Sequence, residues 1–466
     1  MNYQKVVEQI NTGDYRSAME ALSSHLDNNP SDPMALYLIG RIFLKTEKRG
    51  LAYNIFSICA EAAPERPEVW VNFGASHPDT KEGLDGARQC FETALSITPD
   101  YGPALSHLST LAIQTCEPEN VLELADKALA QNPDDALALS NKAFGYLFLQ
   151  DWEKAWEHYD HLLQTSARPE VTYGDLPRWD GSKGKTVIVS GEQGIGDEIL
   201  YASVLDDMSR DCTVIYDCFP RLERLFERSF GDRIHIMGTR WNNEIALPDG
   251  LKADAYIPLA GVCRYYRNSE SDFPGDPYLM ADPDLRNAMR GLLDGLGDKP
   301  KIGIAWTGGS DRTRGYLRTK TLEELTPILR QDAVFVSLQY TDPTDEISEY
   351  KERRGITVHH FPQITEAKDY DYTAALVAEL DLVISVPTSV TQLAGALGTE
   401  CWVMVPEMTG WLFYSENYPW AKTVKPYRNN PVTFFEEKLK KWLSSTKENE
   451  VIEINLVENG KARKMA

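Results

Sequence analysis

No apolar run in this sequence approaches the length of a membrane span, and the opening residues, Met1-Asn2-Tyr3-Gln4-Lys5, lack the apolar core of a signal peptide. Cysteine is sparse: seven residues, at 59, 90, 116, 212, 218, 263 and 401, scattered and odd in number. That excludes a disulfide framework of the secreted kind and fits a reducing, cytoplasmic setting. Cys212 and Cys218 are too far apart for a CxxC pair, and there is no second pair to complete a zinc site. Positive charge is in deficit. Against 70 Asp and Glu stand 48 Lys and Arg, a net charge of −22, which argues against a general binder of nucleic acid or anionic membrane. An anionic ligand must then be held by a local basic patch.

What is present is length enough for about three domains and a repeat. Asn29-Pro30, Ala63-Pro64, Thr98-Pro99 and Asn132-Pro133 recur at intervals of 34, 35 and 34 residues. After each proline a helix carries a large-and-small rhythm: Leu36/Ile39/Gly40, Trp70/Phe73/Gly74, Leu105/Leu108, Leu139/Lys142/Ala143. A second helix adds small and aromatic residues, as in Ala52/Phe56, Ala87/Phe91 and Ala155/Tyr159. One such pair cannot bury its apolar face alone, so neighbours must stack. The period and closing proline resemble the tetratricopeptide repeat from about residue 1 to 165. The resemblance implies a concave surface for a protein or peptide partner, or an array that only spaces or dimerises the rest of the chain. His77-Pro78-Asp79 interrupts the second repeat.

From Leu176 the pattern changes. Leu176-Pro177-Arg178-Trp179-Asp180-Gly181 reads as a linker into a new domain. Thr186 to Ser190 is a β-branched run, followed by Gly191-Glu192-Gln193-Gly194-Ile195-Gly196-Asp197-Glu198 and a helix through Ile199, Leu200, Ala202 and Leu205. Glycines such as Gly194 and Gly196 at a strand–helix turn let a ligand approach the backbone, although the G-x-G-x-x-G spacing is absent. Asp197 opens the helix. It serves either as a carboxylate complementing the helix dipole or as a general base facing a cleft. Strand-like runs follow at Thr213 to Tyr216 and Ile234 to Ile236; Arg221, Arg224 and Arg228 between them read as a solvated helix face. Phe273 to Pro300 is polar and rich in proline and glycine.

A second α/β unit begins with the strand Lys301 to Trp306 and the turn Thr307-Gly308-Gly309-Ser310. Arg312, Arg314, Arg318 and Lys320 then fall within nine residues, which in so acidic a chain suggests an anion such as a diphosphate, against a merely solvated loop. Thr321-Leu322-Glu323-Glu324 approximates a capping box. Val334 to Leu338 is the next strand, ending in Gln339-Tyr340. His359 and His360 have no carboxylate or cysteine at ligand spacing and read as structural. The unit centres on Asp381 to Gly398: a buried strand from Leu382 to Val386, a turn at Pro387, then Thr388 and Ser389 at the start of a helix with Val390, Leu393, Ala394 and Leu397 on its apolar face. A strand feeding a helix N-terminus is a seat for phosphate; an ordinary capped βα unit has the same residues. Trp411 to Trp420 is aromatic, fit to stack a base or sugar or to pack on its own domain. Phe434 to Leu443 closes with an amphipathic helix.

Residues 176–205, 301–340 and 371–420 resemble the heptosyltransferase-like glycosyltransferases of the GT-B fold, especially bacterial proteins fusing tetratricopeptide repeats to this module. The motifs that carry the resemblance are Trp179-Asp180-Gly181, Glu192 to Asp197, Ile302-Gly303-Ile304-Ala305-Trp306, Ser337-Leu338-Gln339-Tyr340 and Leu382 to Gly398. It implies an all-α repeat solenoid over 1–168, then two Rossmann-like domains: an acceptor-side domain over 169–295 and a donor-binding domain with a closing helix over 296–445. A tail follows over 446–466. It further implies sugar transfer from a nucleotide-sugar donor, which enters as substrate, with no cofactor and no metal. Asp197 would be the base; Thr388, Ser389, Gln392, Lys320, Arg318, Trp306, Gly308 and Gln339 would bind the donor; Gly194 and Gly196 would line the acceptor loop. Glycosyl transfer leaves negative charge on the departing diphosphate, which fixed N–H groups and cations stabilise. The family's central motif reads Asp-Thr-x-x-x-His-Leu-Ala-Gly, whereas this chain has Pro387 for the Asp and Gln392 for the His, and its first α/β half is short, at about 125 residues. A transferase-like scaffold without activity, acting through protein contacts, is the alternative these departures favour.

Overall fold

The fold is that of a computed structural model, whose described residues are all but 164–169, 193, 241–246, 248–250, 310–313, 367–368 and 446–466. It divides into two compact units, Met1–Ala167 and Arg168–Ala466. The expected boundary at 168 and the tail at 446–466 lie outside the described residues.

The first unit is helical. Its described residues form five helix pairs: Tyr3–Asn11 with Tyr15–Leu26, Pro33–Lys45 with Arg49–Ala62, Pro67–Ser76 with Lys81–Ile97, Gly102–Thr115 with Pro118–Gln131, and Ala136–Leu149 with Trp152–Leu163. Caps set the starts. Asp14, Asp32, Thr80 and Asp135 accept first-turn N–H groups, and Pro33, Pro67 and Pro118 take early positions where their missing N–H costs nothing. In the second and third pairs a small residue of the first helix seats a large one of the second. A side-chain carbon on Gly40 would stand 2.6 Å from the Phe56 ring, and one on Gly74 would stand 2.5 Å from Phe91. The expected repeat is thus the packing unit.

The second unit holds two parallel sheets. In the first, β1 (Thr186–Ser190), β2 (Thr213–Asp217), β3 (Ile234–Met237) and β4 (Ala255–Pro258) lie in the order β3-β2-β1-β4. In the second, β5 (Lys301–Ala305), β6 (Val334–Ser337), β7 (Val358–His359), β8 (Leu382–Ser385), β9 (Cys401–Val405) and β10 (Val424–Arg428) lie in the order β10-β9-β8-β5-β6-β7. Counted within its half, the second order is the 3-2-1-4-5-6 of a doubly wound dinucleotide-type sheet, and the first is its 3-2-1-4 part. Parallel strands buried on both faces are nearly continuously apolar, and every residue of β5, β6, β8 and β9 is buried, polar Lys301, Ser337 and Ser385 at their ends included. Around them Ile302, Ile304, Trp306, Phe335, Ile384, Trp402, Phe435 and Leu439 form one core.

Several expectations are corrected. Phe273 to Pro300 is not only loop: a helix, Pro283–Asp294, is capped by Asp282. Trp179-Asp180-Gly181 is a turn beside β4: the Trp179 N–H donates to the Tyr256 carbonyl at 2.8 Å and its indole N–H to the Ser182 carbonyl at 2.9 Å. Arg224 and Arg228 do not lie on a merely solvated face. They pair across the two halves, Arg224 with Asp369 at 3.2 Å and Arg228 with the buried Asp371. The aromatic stretch packs largely on its own unit. Phe413 stacks on Tyr418 with ring centroids 5.5 Å apart, and buried Trp420 meets Phe273 and Tyr201.

Candidate active site

A doubly wound sheet takes ligands beyond the carboxyl ends of its strands, where the strand order reverses. That point lies between β5 and β8 in one sheet and between β1 and β4 in the other. The helix Ile195–Ala202 follows β1, and the helix Ser389–Leu397 follows β8. The two helices meet at their starts. A side-chain carbon on Gly196 would stand 3.2 Å from Ser389 Cα and 3.3 Å from Gln392 Oε1. Both switch points therefore open on one seam.

Asp197 is half-buried in the first turn of its helix, its carboxylate turned back over Gly194, where an added side-chain carbon would be 3.3 Å from Oδ2. Across the seam is Arg318. Its Nε donates to the Gly308 carbonyl at 3.0 Å. Burial lowers its guanidinium below the usual range, Arg314 adds to that, and Tyr340 and Asp197 act the other way. A carboxylate from one half and a guanidinium from the other thus share a field. The loop that carries Arg318 is tightly folded: Arg314 is in the left-handed region at φ 50°, and a side-chain carbon on Gly315 would be 2.8 Å from the Gly308 carbonyl oxygen. Gly308 is pressed as closely on β8's exit, where its added carbon would be 2.5 Å from Thr388 Cγ2 and 3.1 Å from the Pro387 carbonyl oxygen. Arg312 lies outside the described residues.

Thr388 is the extended residue before the helix, and no side chain caps the helix start. Its hydroxyl is 3.3 Å from that of Ser385, and the Ser389 hydroxyl accepts from Tyr370 at 3.1 Å. Gln392 is buried, with Oε1 lacking a hydrogen-bond partner among the described residues. Beside it is the buried Tyr418 hydroxyl, whose ionisation is pushed up by burial first, then by Cys401 and Asp197.

Three expected donor residues are engaged elsewhere. The Trp306 ring is fully buried and its indole N–H donates to Glu346 at 2.9 Å, so it cannot offer a face to a base. Gln339 is buried and ties the two strand exits together, accepting from the Trp306 N–H at 3.2 Å and donating to the Thr307 hydroxyl. Lys320 pairs with Glu324 at 3.4 Å, next to the capping box that Thr321 and Glu324 do form.

What the sequence does not reveal is the set of buried carboxylates around the turn that carries Asp197. Glu198, the next residue, is fully buried. It accepts from the Phe219 N–H at 2.7 Å and pairs with buried Arg240 at 2.8 Å. Gly191 leaves room for that carboxylate, since an added carbon there would be 2.8 Å from Glu198 Oε1. On the other side Glu192 accepts from the Ala260 N–H at 3.0 Å. Asp217 takes hydroxyl donors from Tyr173 and Thr239, both at 2.8 Å. Burial pushes the Glu198 carboxyl up to about 7, against the pull of the Phe219 N–H and Arg240. A charged residue amid Ile199, Leu200 and Tyr201 was the available signal.

The chain is thus a helical-repeat array followed by an α/β unit of GT-B type, two parallel sheets facing one seam. It is similar to Protein FlbA of Caulobacter vibrioides (strain ATCC 19089 / CIP 103742 / CB 15), 24% identical over 470 residues that take in 89% of this chain and 78% of that protein. It is also similar to the solved structure of the glycosyl transferase family 9 from Veillonella parvula DSM 2008, at TM-score 0.41 and 12% identity, covering 56% of this chain and 92% of that one. A thermophilic TPR protein of Thermus thermophilus is similar at TM-score 0.32 and 20% identity, covering 36% of this chain and 90% of that one. No family model matches. No helix of the described residues is long and apolar enough to cross a membrane.

Proposed function

We propose that this protein transfers a sugar from a nucleoside-diphosphate donor to an acceptor hydroxyl. The observation that carries the reading is that the helix start bearing Asp197 and the helix start at Ser389 meet on the seam where both sheets reverse, with Arg318 close enough to feel the Asp197 charge. The donor diphosphate rests against the start of the Ser389–Leu397 helix, whose N–H groups and partial positive charge favour an anion. Arg318 offsets the charge that builds as the diphosphate leaves, and Lys320 contributes only by releasing Glu324. Asp197 takes the proton of the attacking hydroxyl, a role that contributes about 10²–10⁴-fold. The repeats recruit a protein or glycan partner. A cavity of about 700 Å³ lined by Arg49, Tyr53, Asn54, His77, Thr80 and Glu82, at the His77-Pro78-Asp79 interruption, supports that. The protein works in the cytoplasm.

One observation favours a second reading, an inactive transferase-like scaffold: Gly196 sits directly against Ser389, so the seat for the diphosphate is narrow. Donor turnover separates the two. A panel of nucleotide sugars is incubated with the full chain and release of nucleoside diphosphate is followed. The transferase reading expects release with at least one donor. Asp197→Asn should lower it by about 10²-fold or more while diphosphate binding persists. No release from any donor favours the scaffold.

A further inference from the structure

His360 looked isolated in the sequence, but the fold surrounds it with carboxylates. The segment leaving β6 brings Asp342, and the segment after β7 brings His360 itself and Glu366. One ligand atom from each of the three lies within 4.8 Å of the others. His360 Nε2 is 3.1 Å from Glu366 Oε1. Asp342 is held below the usual carboxylate range, first by the Thr344 hydroxyl and N–H and then by His360.

Two features set this trio apart from a chance surface cluster. The imidazole is deeply buried, with its side chain only 7% exposed, whereas the carboxylates reach solvent. Its other ring nitrogen, Nδ1, is buried without a hydrogen-bond partner among the described residues. Among the described residues the polar contact of the ring is Glu366, so an ion at Nε2 takes the place of the proton shared there and leaves the remaining ring proton on Nδ1. One imidazole nitrogen with two carboxylate oxygens is a donor set for first-row divalent ions, more than for calcium or magnesium, which take oxygen. Zinc bonds to nitrogen and oxygen at about 2.0–2.2 Å, so in a tetrahedral site two ligand atoms stand about 3.3–3.6 Å apart. The two carboxylates that would close to that spacing are both exposed.

We propose that Asp342, His360 and Glu366 form a binding site for a divalent transition-metal ion such as zinc, clamping the exits of β6 and β7 together. The clamp has a reach. Tyr340, two residues before Asp342, donates its hydroxyl to the Gly309 carbonyl at 3.4 Å, so the ion steadies the loop that carries Arg318. The site stands apart from the transfer reading and does not depend on it.

The test is zinc titration of the full chain, stripped with chelator, against a chromophoric competitor, with cobalt absorption as a second readout. Asp342→Asn and Glu366→Gln are exposed and keep side-chain shape, so they leave the fold intact. Wild type should bind one zinc more tightly than either variant, each losing about 10-fold or more in affinity, and the cobalt d–d bands should weaken in both. His235→Ala, an exposed histidine elsewhere, should bind as wild type does. Equal affinity in wild type, Asp342→Asn and Glu366→Gln, or no binding by wild type, overturns the proposal.

Discussion

A single guanidinium bears most of the electrostatic work proposed for the seam. Arg318 is fixed by its Nε contact with the Gly308 carbonyl, which sets the plane in which its terminal nitrogens meet a diphosphate. Charge-assisted hydrogen bonds are worth about 1.5–3 kcal/mol. Arg318→Ala should therefore weaken nucleoside-diphosphate binding by about 10- to 100-fold, read by calorimetry, with the thermal midpoint of the free protein little changed. Arg318→Lys should recover only part, since it keeps the charge and loses the fork. An unaltered affinity in Arg318→Ala would place the anion elsewhere. Pro387 and Gln392 stand where the resembled family has Asp and His. Here Gln392 sets Oε1 against Gly196 and carries no charge, which leaves Arg318 with that role.

Among the elements, the two strand exits of the second sheet are built to touch. Gly308→Ala would drive a methyl group to 2.5 Å from Thr388 Cγ2 and 3.1 Å from the Pro387 carbonyl oxygen. Overpacking of this kind costs about 1–3 kcal/mol. Denaturant unfolding should show that loss, and adding Thr388→Ser, which removes Cγ2, should return part of it; a fully additive pair would show that the contact is not the cause. The same elements show what could be read in advance. The runs Thr186 to Ser190 and Cys401 to Val405 match β1 and β9 residue for residue, because a strand buried on both faces is continuously apolar. β4, β7 and β10 gave no such signal: β4 ends in Pro258, β7 has two residues, and β10 is an edge strand broken by Pro426. The places of Asp197, Gly308 and Ser389 at turns after strands were legible from local turn chemistry. Trp306 and Gln339 were misread because their polar atoms find partners such as Glu346, 40 residues away, that spacing cannot reveal. The Glu198–Arg240 pair and the Asp342–His360–Glu366 trio went unseen for the same reason.

At the scale of the whole molecule, one buried and one half-buried carboxylate tie stability to pH in two windows. Unfolded, the Glu198 carboxyl titrates near 4.5; folded, burial raises it to about 7. Its contribution is whole below about pH 4.5 and is lost as the pH rises through 7. The unfolding midpoint of the second unit should fall between pH 5 and about 8, and Glu198→Gln should flatten that fall. In the repeat unit Asp32 runs the opposite way. The Tyr3 hydroxyl, and then His25, hold its carboxyl down to about 2, so its contribution is present above 3.8 and lost as the pH drops toward 2. The net charge of −22 makes a local seat necessary for any anion. Titrating uridine, guanosine, adenosine and cytidine diphosphates into the full chain by calorimetry tests that seat most directly. The account predicts saturable binding of at least one of them at a single site per chain. Absence of heat with all four, at concentrations where a donor-using enzyme would be saturated, would contradict it.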